Sequence, residues 1–273
     1  MRKIIWIDVG THFGQEYSSI FGSNYAFFIH AAKRIIGKKI LNRGKFVGFK
    51  GLRDIISSRA RIRKRFDAFY TVFVEANPKI AYTKNIYLDA SMVFNLALTD
   101  GDEGSPLSIT KLYLGDGSEL SQGSSVFLEK ENVQKSSYVT TLGVSSVTFF
   151  SELQAYFEKK FKDYDVILRL NCEGVEDDVI YAAYKSFGKK LKLICGSLKD
   201  VEGVKGLESA QRLDKFIKDN RLLFVNFNSG MISWPEAHAA ILTQSCSVEM
   251  SWAVSACADA VVLITNHRGL EWS

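Results

Sequence analysis

Short apolar runs recur along the chain with little polar alternation, which is typical of strands buried on both faces of a parallel sheet. The runs lie at residues 4–9, 71–75, 93–100, 165–170, 190–196, 221–227 and 259–265. Segments of helical period separate most of them, at about residues 15–36, 147–161, 176–187, 207–219 and 236–257. Because strands that alternate with helices build βαβ units, the pattern predicts an α/β fold with a mainly parallel, doubly wound sheet and helices on both faces.

Two segments depart from this regular alternation. Residues 107–114 (LSITKLYL) alternate apolar and polar side chains, which predicts an additional, half-exposed strand. The first two strands are more than 60 residues apart, whereas a whole βαβ unit takes about 30 residues. We interpret residues 37–66 as a largely helical insertion after the first helix, within a single domain that covers residues 1–273.

The net charge of +5 is distributed unevenly along the chain. Residues 33–65 contain 13 Lys or Arg and one acid, Asp54, so this segment carries +12 and the rest of the chain −7. A surface that repels itself this strongly favours an anionic partner. We expect an acidic or phosphorylated glycan, an anionic membrane surface or nucleic acid. A solvated face and a segment that orders only on binding are the alternatives.

The sequence indicates no leader, membrane span or metal site. The N-terminus leads directly into a strand without the charge pattern of a signal peptide, and no apolar run reaches the roughly 18 residues of a membrane helix. The four cysteines and four histidines are scattered without ligand spacing, which favours free thiols and no metal. These features predict a cytoplasmic protein.

The residues that follow the first two strands suggest a ligand. Ligands of open α/β sheets bind beyond the carboxyl ends of the strands. There the chain has Asp8, Gly10 and Gly14, which is not the GxGxxG turn of dinucleotide sites, and Glu75 follows the second strand. An acid in this second position accepts the hydroxyls of a ribose. Two acids and a glycine turn predict a nucleoside without phosphates, and S-adenosylmethionine fits that description.

Several segments together carry a family resemblance. In chain order they are IDVGTHFGQE, VFVEANP, NLALTD, SSVTFFSEL and LRLNCEGVEDDVI. They resemble the FkbM family of S-adenosylmethionine-dependent methyltransferases over about residues 4–16 and 70–180. The resemblance implies the Rossmann-like class I methyltransferase fold and methyl transfer to a hydroxyl, often on a sugar or a natural product.

The resemblance also implies which residues hold the donor. The turn after the first strand would shape the pocket for the methionine part, and Glu75 would hold the ribose. Asn77 and Pro78 would turn the chain beside Glu75, and Asp100 would lie near the adenine. The donor-side residues implied in this way are Asp8, Gly10, Gly14, Gln15, Glu75, Asn77 and Asp100.

On the acceptor side, the resemblance implies that Asn171, Glu173 and Glu176 face the methyl group and the acceptor. Glu173 or His12 would deprotonate or orient the acceptor hydroxyl, because both side chains can accept a proton. Asn171 would position the ligand, since an amide cannot act as a base. The family's Lys-x-Asp is Arg169-x-Asn171 in this chain. This departure bears on the identity of the acceptor and on catalysis more than on binding of the donor.

Each of these residues also has a structural explanation. Asp8 could cap the following helix, and Glu75 could be a solvated loop acid. Glu173 and Glu176 could be first-turn acids favoured by a helix dipole. His12 could simply pack in its loop.

The predicted function is S-adenosylmethionine-dependent O-methylation of a sugar or another hydroxyl-bearing small molecule or glycan, anionic acceptors included. The alternative is a catalytically inactive module of the same fold that binds nucleic acid or another polyanion through residues 33–65. A nicotinamide-dependent dehydrogenase is disfavoured because the third glycine of its phosphate-binding turn is missing.

Overall fold

A computed structural model describes most of the chain between the first strand and residue 226. The described residues are 3–14, 17, 21, 56, 60, 69–81, 90–100, 106–115, 120 and 123–226. The chain divides into two compact units, Met1–Ser18 with Asp67–Ser229, and Ser19–Phe66 with Gly230–Ser273.

All the helices and strands named below lie in the first unit. The predicted insertion at residues 37–66 and the predicted elements at 15–36, 236–257 and 259–265 lie almost wholly outside the described residues. The single domain and the helices on both faces of the sheet therefore stay predictions.

Nine strands and five α-helices make up the described part of the first unit. The strands are β1 (Lys3–Val9), β2 (Phe69–Val74), β3 (Met92–Phe94), β4 (Ala97–Thr99), β5 (Leu107–Gly115), β6 (Val133–Ser145), β7 (Tyr164–Leu170), β8 (Leu191–Gly196) and β9 (Phe224–Asn226). The helices are α1 (Pro78–Ala81), α2 (Ser146–Lys160), α3 (Glu176–Phe187), α4 (Lys199–Lys205) and α5 (Leu207–Asp219). A single 3₁₀ turn, Gly188–Lys190, connects α3 to β8.

The main sheet has six parallel strands in the order β3-β2-β1-β7-β8-β9. Counted along the chain within this sheet, the order is 3-2-1-4-5-6, which is the doubly wound order of nucleotide-binding folds. The predicted α/β fold of Rossmann-like type is confirmed at this level. The order reverses between β1 and β7, so the ligand crevice of such folds is expected beyond these two strands.

The central strands form because they are almost wholly apolar and covered on both faces. In β1 and β7 the side chains of Ile5, Ile7, Val166 and Leu168 are fully buried. Burying one such side chain contributes about 1.5 to 3 kcal/mol. Phe157 of α2 stacks on Phe187 at the end of α3 within the same core. The two strands are held in register along their whole length, which brings their carboxyl ends together.

A second, smaller sheet has the order β4-β6-β5. The predicted half-exposed strand at 107–114 is confirmed as β5, in which Leu107 and Ile109 are exposed and Leu112 and Leu114 are buried. It pairs antiparallel with β6. The apolar pattern did not predict β6, because nine of its thirteen residues are exposed or half-buried and they show no apolar period.

The prediction of one strand at 93–100 was wrong in part. The chain forms β3 in the main sheet and β4 in the second sheet, with Asn95 and Leu96 between them. Asn95 Nδ2 donates a hydrogen bond to the Glu75 carbonyl oxygen at 2.7 Å. This side-chain hydrogen bond follows the last backbone pairing of β3 with β2, at the point where the chain leaves the main sheet.

The predicted helices at 147–161, 176–187 and 207–219 are confirmed as α2, α3 and α5, and the short α1 and α4 were not predicted. The strand predicted at 221–227 is the three-residue β9. Within the described ranges, no helix has the length and hydropathy needed to cross a membrane.

Candidate functional site

A cavity of about 350 Å³ opens beyond the carboxyl ends of the main-sheet strands. Its walls are the segments after β1, β2, β7 and β8, the start of β4 with Leu96 before it, and the connection from β5 to β6. The volume is within the range of small-molecule sites, and its place at the reversal of strand order is where doubly wound sheets bind ligands. We therefore treat this cavity as the candidate functional site.

Most of the sequence-predicted site residues line this cavity. They are Gly10, His12, Glu75, Asn77, Asn171 and Glu173. Asp8, Gly14 and Glu176 are buried outside its lining. Asp100 is exposed and lies beside a separate cavity of about 140 Å³ that Asp178 and Lys185 also line. Gln15 lies outside the described residues.

Asp8 of β1 was predicted from the sequence to bind the cofactor, and the structure shows it in a buried ion pair. Arg169 Nη1 of β7 donates to Asp8 Oδ1 at 2.9 Å and to the Gly10 carbonyl oxygen at 2.6 Å. The Asp8 and Arg169 side chains are 0% and 3% exposed, respectively. The pair locks the turn after β1 onto the neighbouring strand. Sequence reasoning missed it, although an arginine in a fully buried strand requires a partner.

Gly10 is the residue at which the turn after β1 meets the segment after β7. Its φ is +71°, and a Cβ atom added there would lie 2.1 Å from the Asn171 carbonyl oxygen. The Gly10 N–H donates to the Val74 carbonyl oxygen at 2.9 Å. Only glycine satisfies both the left-handed backbone and this close approach.

Replacing Gly10 with Ala is expected to lower the free energy of unfolding by about 2 to 4 kcal/mol, because the added methyl group forces the two segments apart and φ is unfavourable for Ala. Urea unfolding measures this change. The control is Gly203→Ala, since a Cβ atom at that position meets nothing within 4 Å. Equal stability of the two variants would contradict the role given to Gly10.

Glu75 follows β2 and is 5% exposed at the cavity wall. Its Oε2 accepts the His12 N–H at 2.6 Å, and its Oε1 accepts the Asn77 N–H at 2.8 Å. Burial raises the pKa of Glu75 to about 7, although these two backbone hydrogen bonds oppose the rise. Each carboxylate oxygen can accept a second hydrogen bond. Glu75 can therefore hold a pair of ligand hydroxyls while it fixes two loops.

Glu173 lies in the segment between β7 and α3, with a φ of +61°, and lines the cavity. Its carboxylate forms an ion pair with Lys130. Lys130 Nζ also donates to the Gly123 carbonyl oxygen at 3.2 Å and lies 3.7 Å from Asp200 Oδ1. Burial raises the pKa of Glu173, Lys130 opposes this rise, and Asp200 adds to it. Lys130 and Asp200 belong to ordinary polar stretches, so no sequence signal pointed to them.

Glu176 begins α3 and does not face the cavity. Its Oε1 accepts the backbone N–H groups of Cys172 at 3.0 Å and Glu173 at 2.7 Å. Its Oε2 accepts the Gly174 N–H at 2.7 Å. Burial raises the pKa of Glu176 to about 7 against the effect of backbone hydrogen bonds. The carboxylate organises the segment that presents Glu173, which is a supporting role.

Replacing Glu176 with Gln is expected to cost about 1 to 3 kcal/mol of stability for each buried N–H that loses its acceptor. The amide has one acceptor oxygen, so it cannot serve both sides of the loop. Thermal unfolding and amide exchange at residues 172–174 would show the loss. Glu202→Gln, on the exposed side of α4, is the control, and a change no larger than that of the control would refute the assignment.

Three further residues line the cavity, namely Asn171, His12 and Cys172. Asn171 is held by its N–H, which donates to the Val9 carbonyl oxygen at 3.0 Å. The His12 ring packs edge-on against Phe13, with ring centroids 3.9 Å apart. Burial raises the pKa of Cys172 well above its usual range, so this thiol is a poor nucleophile.

The strand order and the position of the cavity define an α/β protein of Rossmann-like type. Comparison with protein-family models, curated proteins and solved structures finds no significant match for this chain. Its function is therefore inferred from the residues of the site and from the motifs of the sequence.

Proposed function

We propose that this protein is an S-adenosylmethionine-dependent O-methyltransferase that acts on a sugar or another hydroxyl-bearing small molecule or glycan, anionic acceptors included. The observation that carries the proposal is the position of Glu75, a buried carboxylate that follows β2 and lines the cavity. In doubly wound sheets an acid at this position accepts ribose hydroxyls. The resemblance to FkbM methyltransferases supports the same assignment.

The donor side of the cavity offers groups of the right chemistry for this cofactor. Glu75 would accept the ribose hydroxyls, and the apolar side chains of Ile80, Leu96 and Leu98, which also line the cavity, would contact the adenine. Asp8 is engaged by Arg169, so we assign it to fixing the glycine turn. S-Adenosylmethionine, when bound, supplies a methyl carbon that accepts an electron pair while the sulfur keeps the pair of the broken bond.

The acceptor side is assigned to the segment after β7. Glu173 would take the proton of the acceptor hydroxyl, and the Asn171 amide would orient the acceptor by hydrogen bonding. His12 is the alternative base, since imidazole titrates near neutral pH. Methyl transfer from an activated sulfonium needs mainly alignment of the two reactants, and the base contributes when the hydroxyl is weakly acidic.

The finer description of the fold is part of this proposal. It includes a class I methyltransferase domain over residues 1–273, a basic helical insertion at 37–66 and a cytoplasmic location. The insertion would bind the anionic part of an acceptor.

The experiment for this proposal is methyl transfer from S-adenosylmethionine labelled in the methyl group to a panel of neutral and anionic sugars and glycans. We expect label in at least one hydroxyl-bearing acceptor, with S-adenosylhomocysteine as the second product. Donor binding without transfer to any member of the panel would favour the alternative function.

That alternative is binding of nucleic acid or another polyanion through residues 33–65. The charge of +12 over this segment favours it, as does an amide at Asn171 where the resembled family has an acid. Polyanion binding releases counterions, so its affinity falls steeply with salt. A steep salt dependence of binding to generic RNA would support the alternative, and failure to bind at low salt would exclude it.

A further inference from the structure

We propose that Lys130 is a positioning residue that keeps Glu173 ionised and directed into the cavity, and that Asp200 holds Lys130 when Glu173 takes a proton. This inference depends on the proposed function, because it concerns the base of the same site. It adds to that site two residues that neither the strand pattern nor the motifs indicated.

The geometry that supports this role is a cation held among three acceptors at the cavity wall. Lys130 is 9% exposed and is bonded to Glu173, which is 17% exposed. Its Nζ donates to the Gly123 carbonyl oxygen at 3.2 Å, and Asp200 Oδ1 lies 3.7 Å away. All four residues line the cavity. Two of the three ammonium donors therefore have acceptors, Glu173 and the Gly123 carbonyl, and Asp200 lies within ion-pair distance.

The connection that carries Lys130 is fixed to the segment that carries Glu173. Ser125 Oγ donates to the Glu173 carbonyl oxygen at 2.7 Å. Ser125 also exchanges two backbone hydrogen bonds with Tyr113 of β5, at 2.8 and 3.0 Å. Lys130 is thus presented to Glu173 from a backbone that is itself anchored, which is what a positioning residue requires.

The charged and titratable groups around Glu173 come from several elements. Lys130 faces it from the β5–β6 connection, Asp200 from α4 and Glu176 from the start of α3. Cys172 is its neighbour in the same segment, and its thiol interacts with both Glu173 and Glu176. Burial is the largest influence that raises the pKa of Glu173; among the charged groups, Lys130 favours the ionised form and Asp200 opposes it.

These opposed influences suit a base that must both release and accept a proton. When the acceptor O–H bond breaks, the proton goes to a Glu173 carboxylate oxygen and the electron pair stays on the acceptor oxygen. Glu173 becomes neutral, and the attraction between its negative charge and the Lys130 ammonium group is lost. The ammonium group keeps Asp200 and the Gly123 carbonyl as partners, so it is not left as an isolated buried charge. Loss of the proton to water restores the first arrangement.

The test is a pH titration of the Glu173 carboxyl by NMR on protein labelled with ¹³C at the glutamate carboxyl, assigned with Glu173→Gln. Lys130→Met is expected to move the Glu173 midpoint to higher pH, and Asp200→Asn to lower pH. Lys199→Met is the matched control, because Lys199 lines the same cavity and is not a partner of Glu173 in this proposal. An unmoved midpoint in Lys130→Met, or shifts of the same sign in both variants, would overturn the proposal.

A pH–rate profile with an acceptor found by methyl labelling gives a second readout. We expect Lys130→Met to lower kcat/KM about tenfold near pH 6 and hardly at all near pH 9, because the base must be ionised. Lys130→Arg should restore the acid side of the profile. A loss that is equal at all pH values would mean a structural role only, and this too would overturn the proposal.

The two proposals can fail separately. Absence of donor binding in calorimetry would refute the methyltransferase assignment whatever the titrations show. Donor binding and methyl transfer that persist with unmoved Glu173 titrations would refute the role of Lys130 alone.

Discussion

Replacing Arg169 with Met is expected to lower the free energy of unfolding by about 3 to 5 kcal/mol, because it breaks a buried ion pair by removing one of its partners. Asp8 is fully buried, and its Oδ1 accepts from Arg169 Nη1 at 2.9 Å. The substitution also removes the hydrogen bond to the Gly10 carbonyl oxygen at 2.6 Å. The turn that borders the cavity would therefore loosen together with the centre of the sheet.

Denaturant unfolding monitored by circular dichroism measures this effect. The control is Arg212→Met, which breaks an exposed ion pair with Glu208. The side chains of Arg212 and Glu208 are 65% and 84% exposed, respectively. Exposed pairs of this kind contribute about 0 to 1 kcal/mol. The double variant Asp8→Asn with Arg169→Met should lose less stability than Arg169→Met alone, since both charges of the buried pair are then removed. If Arg169→Met were as mild as Arg212→Met, the buried pair would not hold the turn.

Replacing Glu75 with Gln is expected to weaken S-adenosylmethionine binding by about 100-fold. Hydrogen bonds to a charged group contribute about 1.5 to 3 kcal/mol each, and the ribose would make up to two of them. The amide also cannot accept both the His12 and the Asn77 N–H groups, which the carboxylate accepts at 2.6 and 2.8 Å. Calorimetric titration measures the affinity, and circular dichroism checks that the variant is folded.

Glu158→Gln is the matched control for this variant, because it changes an exposed glutamate on α2, away from the cavity. Its affinity for S-adenosylmethionine should equal that of the unchanged protein. Unchanged affinity in Glu75→Gln as well would remove the ribose assignment.

The raised pKa of Glu75 gives this interaction a pH dependence. Burial raises the pKa to about 7, so the carboxylate is mostly protonated near pH 6 and mostly ionised near pH 8. Affinity should therefore rise up to about tenfold between these pH values, and Glu75→Gln should abolish the rise. The free energy of unfolding depends on pH in the opposite direction. Glu75 binds its proton more tightly in the folded state, with a pKa of about 7, than in the unfolded state, with a pKa of 4.5. The contribution of Glu75 to stability is therefore lost as the pH rises from 4.5 to about 7.

The sequence predicted the parts of the fold in which local pattern and burial agree. The apolar runs of β1 and β7 are buried on both faces, so they read as strands without knowledge of their neighbours. The rule that ligands bind beyond the carboxyl ends then placed Glu75 and Glu173 in one region, and both line the same cavity.

The features that the sequence did not predict depend on contacts between distant segments. The Asp8–Arg169 pair joins residues 161 positions apart, and it becomes visible only when the strand register is known. Lys130 reaches Glu173 from an irregular connection 43 positions away. The long strand β6 was missed because its outer part is exposed on both sides, so its pairing with β5 forms it in the absence of an apolar period.

The most direct test of the central claim is calorimetric titration of the purified protein, near pH 8, with S-adenosylmethionine and S-adenosylhomocysteine. At this pH Glu75, with its pKa of about 7, is ionised. We predict that at least one of the two binds with micromolar affinity and that the affinity falls in Glu75→Gln. Absence of binding by both would contradict the methyltransferase assignment and leave the basic segment at residues 33–65 as the leading guide to function.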